Sequence, residues 1–160
     1  MRAITPNLWF DGRAEEAAAF YVSLFPDSRI DGVTRAAADN PSTPAGAVLL
    51  VAFTLAGQHF VGINGGPQFP FTEAVSFQLD CDDQAEVDRY WEALVDGGGE
   101  HGMCGWLKDR FGLSWQVVPR EMGAYVAGSD AAGAARAATE MLRMQKIDLA
   151  RLRDAYEGDA

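Results

Sequence analysis

The sequence predicts an α+β fold of two similar halves, each running strand, helix, strands, followed by a helical tail. Three observations carry that prediction. Two segments alternate apolar and polar residues with the period of a strand: Val75, Phe77, Leu79 against Ser76, Gln78, Asp80, and Leu113, Trp115, Val117 against Ser114, Gln116, Val118. Between them, Gln84 to Val95 places Val87, Trp91, Leu94 and Val95 at helical spacing, behind Asp83 as N-cap with Glu86 three residues further on. The first half repeats the pattern at a constant offset, with Phe20-Tyr21 matching Tyr90-Trp91 and Ala14-Glu15-Glu16 matching Gln84-Ala85-Glu86.

Taken in order, Ile4, Pro6, Leu8 and Phe10 alternate with Thr5, Asn7 and Trp9, a strand in which Pro6 marks an edge or an irregular start. Asp11-Gly12 turns the chain into an amphipathic helix carrying Ala14, Ala17, Ala18, Tyr21, Leu24 and Phe25, which Pro26 stops. Strands follow at about 29–36, 48–55 and 58–64, the first two separated by the loop ADNPSTPAG and the last two joined through Ala56-Gly57. GGPQFPF, from Gly65 to Phe71, has no periodicity and reads as a linker. Gly97-Gly98-Gly99 is a helix stop, and Lys108 to Gly112 a hairpin turn. Beyond Pro119, 122–129 is a connector, and 131–146 is an alanine-rich helix by propensity. Asp148 caps a short helix over 149–156, with Ile147 and Leu152 as a hydrophobic staple. The stripe Leu149, Leu152, Tyr156 needs a partner surface, on its own domain or on a second subunit; the sequence leaves both open.

A chain of 160 residues, 48% hydrophobic and 22% charged, makes one or at most two compact domains. Thirteen basic residues against 23 acidic ones give a formal charge of −10, which repels phosphate backbones and anionic membrane surfaces. Neither nucleic acid nor membrane is expected as a partner. MRAITPNLWF lacks the pattern of a secretory signal and no apolar run reaches membrane-spanning length, so the cytoplasm is the expected compartment. Two cysteines, Cys81 and Cys104, are too few for a disulfide scaffold and lack zinc-site spacing.

The functional candidates sit on the polar sides of the strands. Gln78 and Gln116, beside Ser76 and Ser114 and with Asn7, Trp9, Phe60 and Asn64 assigned to matching faces, form a mixed polar and aromatic pocket. Trp106 caps that pocket or fills core, and Cys104 joins it chiefly as a small hydrophobe rather than a nucleophile. His101 reads as a surface residue, and His59 is placed off the pocket, on the Val61 and Ile63 side. No carboxylate or imidazole is evident on the pocket face to move a proton. Gly62-Ile63-Asn64-Gly65-Gly66 follows a strand but runs into Pro67 and Phe69-Pro70-Phe71 instead of a helix, so no nucleotide-type cofactor site, and no cofactor, is expected.

The runs NLWFDGRAEEAAAFYVSLFPDS, GINGGPQFPFTEAVSFQLDCDDQAEVDRYWEAL, CGWLKDRFGLSWQVVP and MLRMQKIDLARL closely resemble PhnB-like proteins of the vicinal oxygen chelate (glyoxalase/bleomycin-resistance/dioxygenase) superfamily. Many of these carry the label 3-demethylubiquinone-9 3-methyltransferase. The resemblance implies a domain over 1–120 of two glyoxalase-like βαβββ modules, about 3–66 and 73–119, forming a curled mixed sheet around a cavity. A C-terminal helical tail over 121–160 follows, and a homodimer is implied. In metal-using members, inward positions on the first and last strands of each module hold the ligands; here these fall near Thr5 or Asn7, near Asn64, at Ser76 or Gln78, and at Gln116. They offer amides and hydroxyls where a divalent metal prefers carboxylate or imidazole, so no metal is expected. The resemblance implies a protein that binds a small polar organic molecule, as an enzyme or as a resistance-type sequestering protein. Methyl transfer is disfavoured by the missing cofactor loop.

Overall fold

The computed structural model describes residues 4–158; the expected outer limits at 1, 3 and 160 lie outside them. The protein is α+β, with two four-stranded mixed sheets and five helices among the described residues, arranged in two compact units, Met1–Phe71 and Thr72–Ala160.

The first unit runs β1 (Asn7–Phe10), α1 (Ala14–Leu24), β2 (Arg29–Arg35), β3 (Val48–Leu55) and β4 (Gln58–Asn64), with strand order β1-β4-β3-β2. Only β1 and β4 pair in parallel; the other pairs are antiparallel. Ala14, Ala17, Ala18 and Tyr21 form the buried stripe of α1, and the alanines let the helix lie close on β3 and β4. Gly62 allows the same approach from the sheet, since a Cβ there would sit 3.1 Å from that of Ala14. Tyr21 stacks on Phe53 and Phe53 on Phe60, with centroids 6.4 and 5.5 Å apart. The β3–β4 connection is a two-residue turn with positive φ at Ala56 and Gly57, the handedness that matches strand twist.

The second unit runs β5 (Ser76–Cys81), α2 (Gln84–Val95), β6 (Glu100–His101), β7 (Trp106–Lys108) and β8 (Ser114–Pro119), with strand order β5-β8-β7-β6, and again only its first and last strands are parallel. Asp83 caps α2 by accepting the Glu86 N–H at 2.9 Å, while the Glu86 carboxylate reaches back to the Asp82 N–H. The reciprocal bond of a capping box is thus displaced by one residue. Val87, Tyr90, Trp91 and Leu94 are buried beneath α2, as Tyr21 is beneath α1, so the two matched aromatic pairs do occupy equivalent helices. In the triple glycine the third member is forced by space, because a Cβ at Gly99 would lie 2.5 Å from the Lys108 carbonyl.

The tail comprises α3 (Met122–Val126), α4 (Ala131–Met141) and α5 (Leu149–Glu157). It folds onto the second unit of its own chain. Gln84 on α2 donates to the Ile147 carbonyl at 3.0 Å and accepts the Leu149 N–H at 2.9 Å, and Lys146 pairs with Asp88 at 2.7 Å. Met144, Ile147 and Leu152 are buried together, with Met122, Tyr125, Val126 and Met141 packed around them. The structure corrects two expectations. The connector 122–129 contains α3, and the alanine-rich helix ends at Met141 instead of Lys146. Cys104 and Gly105 donate to the carbonyls of Met144 and Gln145, each at 2.7 Å, so that stretch leaves the helix to pair with the loop before β7. Tertiary pairing overrides propensity there.

Trp91, 3% exposed, is the main aromatic anchor between α2 and its sheet. Trp91→Ala is expected to lower unfolding free energy by about 3–5 kcal/mol, the range for truncating a buried aromatic, measured by urea titration; a nearly neutral change would contradict this packing.

Candidate functional site

Parallel pairing of β5 and β8 sets Ser76 against Ser114 and Gln78 against Gln116, and β7 adds Trp106 opposite Gln116 and Lys108 opposite Ser114. Trp115 and Val117, of opposite parity, are buried on the α2 side with Leu107. Ser76, Gln78, Trp106, Lys108, Ser114 and Gln116 therefore share the face turned away from α2. Five of these, all but Lys108, are sequence candidates, and the register puts them on one sheet face. Gln116 donates to the Ser76 hydroxyl at 2.9 Å, and Gln78 donates to the Asp80 carboxylate at 2.7 Å.

Lys108 and Glu73, which sequence reasoning missed, pair at 2.5 Å. Their hydrogen bond raises the lysine ammonium above its ordinary range and holds the Glu73 carboxyl below its own. With Trp106, Ser114, Glu100 and His101 they line a cavity of about 150 Å³. Ser114 is 1% exposed, and its hydroxyl has no hydrogen-bond partner among the described residues. Such a group costs about 1–3 kcal/mol in a folded protein.

In the first unit, β1 lies beside β4 with Asn7 next to Val61 and Trp9 next to Ile63, and these four side chains share the face away from α1. Asn7 is exposed and bonds the Thr5 carbonyl. Trp9 is half-buried, donates to the Gly66 carbonyl at 2.8 Å and packs edge-on against Phe69. Gly65 lies under the indole, where a Cβ would fall 2.1 Å from the ring.

Phe60 and Asn64, assigned to the pocket from sequence, lie instead on the α1 side. Phe60 stacks on Phe53. Asn64 accepts the Ala14 N–H and donates to the Val48 carbonyl, each at 2.9 Å. Since Arg13 makes no side-chain cap, the Asn64 carboxamide supplies the partner that the first turn of α1 requires. Cys104 is in the turn before β7, at φ 58°, tied through its backbone to the tail and not on the sheet face. Cys81 is buried, and burial, aided by the nearby Glu86, pushes its thiol up to about 12, which disfavours the nucleophilic thiolate.

With the parity of β4 corrected, His59 shares the face of Asn7 and Trp9. Thr54 lies opposite it across the β3–β4 hairpin. The Thr54 hydroxyl donates to Asp31 at 2.6 Å and lies 2.9 Å from His59 Nδ1, while Arg29 pairs with Asp31 at 2.8 Å. The Thr54 hydrogen bond, and after it Arg29 and His59, hold the Asp31 carboxyl below the usual range. The Thr54–His59 pairing was available in the sequence from the Ala56-Gly57 turn; Asp31 was not, because β2 pairs with shifts of register. Asp109, a third unforeseen carboxylate after Glu73 and Asp31, is buried at the turn before β8 and accepts from the Phe111 and Leu113 N–H groups and the Trp115 indole, a structural use on the α2 side.

The residues present fit a metal poorly. At the positions implied by the resemblance, Asn7, Ser76, Gln78 and Gln116 offer neutral donors, and both ends of the Asn64 amide are engaged at α1 and β3. No cluster of three His, Cys, Asp or Glu suited to a metal occurs among the described residues. Neutral oxygens repay little of the hydration a dication loses in a partly dry site. The glycine-rich segment after β4 leads into a turn and then β5, and Gly65 serves the packing of Trp9, so the segment does not have the strand, loop, helix form of a nucleotide site. No helix of the described residues is long and apolar enough to cross a membrane.

The family model for 3-demethylubiquinone-9 3-methyltransferase matches residues 2–118. Among solved structures, the chain is similar to the PhnB protein of Bacillus cereus, named for that methyltransferase: 35% identity over 74% of this chain and 99% of the other, with a TM-score of 0.66. A Pseudomonas aeruginosa protein matches at 24% identity over 74% and 98%, with a TM-score of 0.56. The fosfomycin resistance protein FosX of Listeria monocytogenes shares the fold at 15% identity over 74% and 93%, with a TM-score of 0.51. No curated protein matches the chain.

The donor set leads to a direct expectation. Protein purified without an affinity tag carries no stoichiometric zinc, nickel or manganese by elemental analysis, and chelator leaves its Tm unchanged. One equivalent of metal that is lost in Gln116→Ala would overturn it.

Proposed function

The chain belongs to the 3-demethylubiquinone-9 3-methyltransferase family of PhnB-like proteins, within the vicinal oxygen chelate superfamily, and on that premise we propose that it binds a small polar organic molecule on the helix-free face of its second sheet. The observation that carries this reading is the Ser114 hydroxyl, buried without a protein partner at a cavity flanked by Trp106 and Lys108. A few converging polar groups beside an aromatic plate is the usual construction of a small-molecule site. Gln116 and Ser76, already bonded to each other on the same face, supply further donors and acceptors. Binding of this kind needs neither a metal nor a methyl-donor cofactor, and it is compatible with catalysis or with sequestration. Assembly as a homodimer, implied by the resemblance, is part of the same reading.

A larger cavity of about 390 Å³ lies between α4 and α5. It is the weaker candidate. Arg136, its most distinctive side chain, is engaged in closing α5 through the carbonyls of Ala155 and Tyr156, and the groove falls outside the segment that matches the family.

Ser114→Ala provides the test because it separates stability from binding. Removing an unsatisfied buried hydroxyl is expected to raise the unfolding free energy of the free protein by about 1 kcal/mol. For a ligand found by thermal-shift screening of small polar organic compounds, the same change, and Gln116→Ala, are each expected to weaken binding roughly fivefold, equivalent to the loss of about 1 kcal/mol. A Ser114→Ala protein that is less stable and binds the ligand unchanged would refute the assignment.

A further inference from the structure

We propose that His59 is a proton acceptor for a ligand with an acidic hydroxyl, an enol or a phenol, held on the face of β4 turned away from α1, with Thr54 and Asp31 positioning its imidazole. This extends to the first sheet the reading that the helix-free face of the second sheet receives a small molecule. The argument starts from a proton count. Thr54, 1% exposed, has one hydroxyl proton and gives it to Asp31 at 2.6 Å. Its oxygen then has only lone pairs for the Nδ1 atom of His59, 2.9 Å away. A hydrogen bond between them requires the proton to be on Nδ1. Neutral His59 is thereby fixed as the Nδ1–H tautomer, and Nε2 keeps the lone pair.

The imidazole is accessible, its side chain being 61% exposed, and it precedes Val61 and Ile63 on the same face, with Trp9 beside Ile63. That surface suits the apolar body of a ligand, with its hydroxyl toward His59. In the transfer, the O–H bond breaks, the proton goes to the Nε2 lone pair, and the bonding pair stays on oxygen as an oxyanion. The resulting imidazolium lies 3.6 Å, at Nδ1, from the Asp31 carboxylate, which stabilises the new charge. Asp31 is kept ionised for this role by Thr54 and by Arg29 across the same strand.

The chain has only two histidines, so the test is clean. In the His101→Asn protein with ¹⁵N-labelled histidine, long-range ¹H–¹⁵N correlation spectra, recorded above the imidazole titration, are expected to show a protonated Nδ1 and a bare Nε2 on His59. Thr54→Ser, which keeps the hydroxyl, is expected to preserve that tautomer, and Thr54→Val to shift it toward Nε2–H, the form favoured by free imidazole. Acylation by diethyl pyrocarbonate, which consumes the Nε2 lone pair, is expected to slow several-fold in Thr54→Val and not in Thr54→Ser. An Nε2–H tautomer in the parent, or spectra and acylation rates indifferent to Thr54→Val, would overturn the proposal. These readouts use the ligand-free protein, so they fail independently of any failure to bind a ligand at Ser114.

Discussion

The parallel pairing of first and last strands within each unit is the constraint on which the rest of the structure depends. Parallel neighbours cannot be joined by a tight turn, so in each unit a helix and further strands fill the connection. The helix must cover one face of the sheet to bury its own stripe, and Tyr21 and Trp91 fix which face that is. Everything of opposite parity is then left for other uses. Ser76 meets Ser114 and Gln78 meets Gln116 across a long stretch of sequence for this reason alone.

Where the helical side needs polarity, the sequence supplies it in a form that is fully bonded. Asn64 holds the start of α1, and Asp109 gathers two backbone N–H groups and the Trp115 indole. On the second sheet's other face the bonding is incomplete, and the Ser114 hydroxyl is the sharpest instance. That contrast separates structural polar residues from those available to a ligand. Composition alone would put Asn64, Gln78 and Gln116 in one class.

Strand identity and face were legible in β5, where the apolar residues occupy one parity, and in β8, where Val118 alone departs from that alternation. In β4 they were not. Phe60, Val61 and Ile63 put apolar side chains on both faces, and Gly62, which marks the tight approach of Ala14, carries no side chain to signal its direction. A parity error there moved Phe60 and Asn64 into the expected pocket and His59 out of it, although the Ala56-Gly57 hairpin already set His59 opposite Thr54. The tail's stripe needed a partner that sequence could not choose; Leu152 finds it in Met144 and Ile147 and Tyr156 in Tyr125, while the Gln84 side chain and the loop before β7 fix the backbone that leads into α5. The polar face itself was readable from alternation, whereas Lys108 was hidden in a segment read as a turn, and Glu73 precedes the strand read from Val75 and carried no signal of its own.

The central claim is that the face away from α2, centred on Ser114 and Gln116, receives the ligand. It is tested most directly by ¹H–¹⁵N chemical-shift mapping as a bound small polar compound is titrated into labelled protein. The account predicts that the largest shifts fall on the amides of Ser76, Gln78, Ser114 and Gln116 and on the Trp106 indole. Largest shifts instead at Arg136, Thr139 and Arg143, in the groove between α4 and α5, would contradict it.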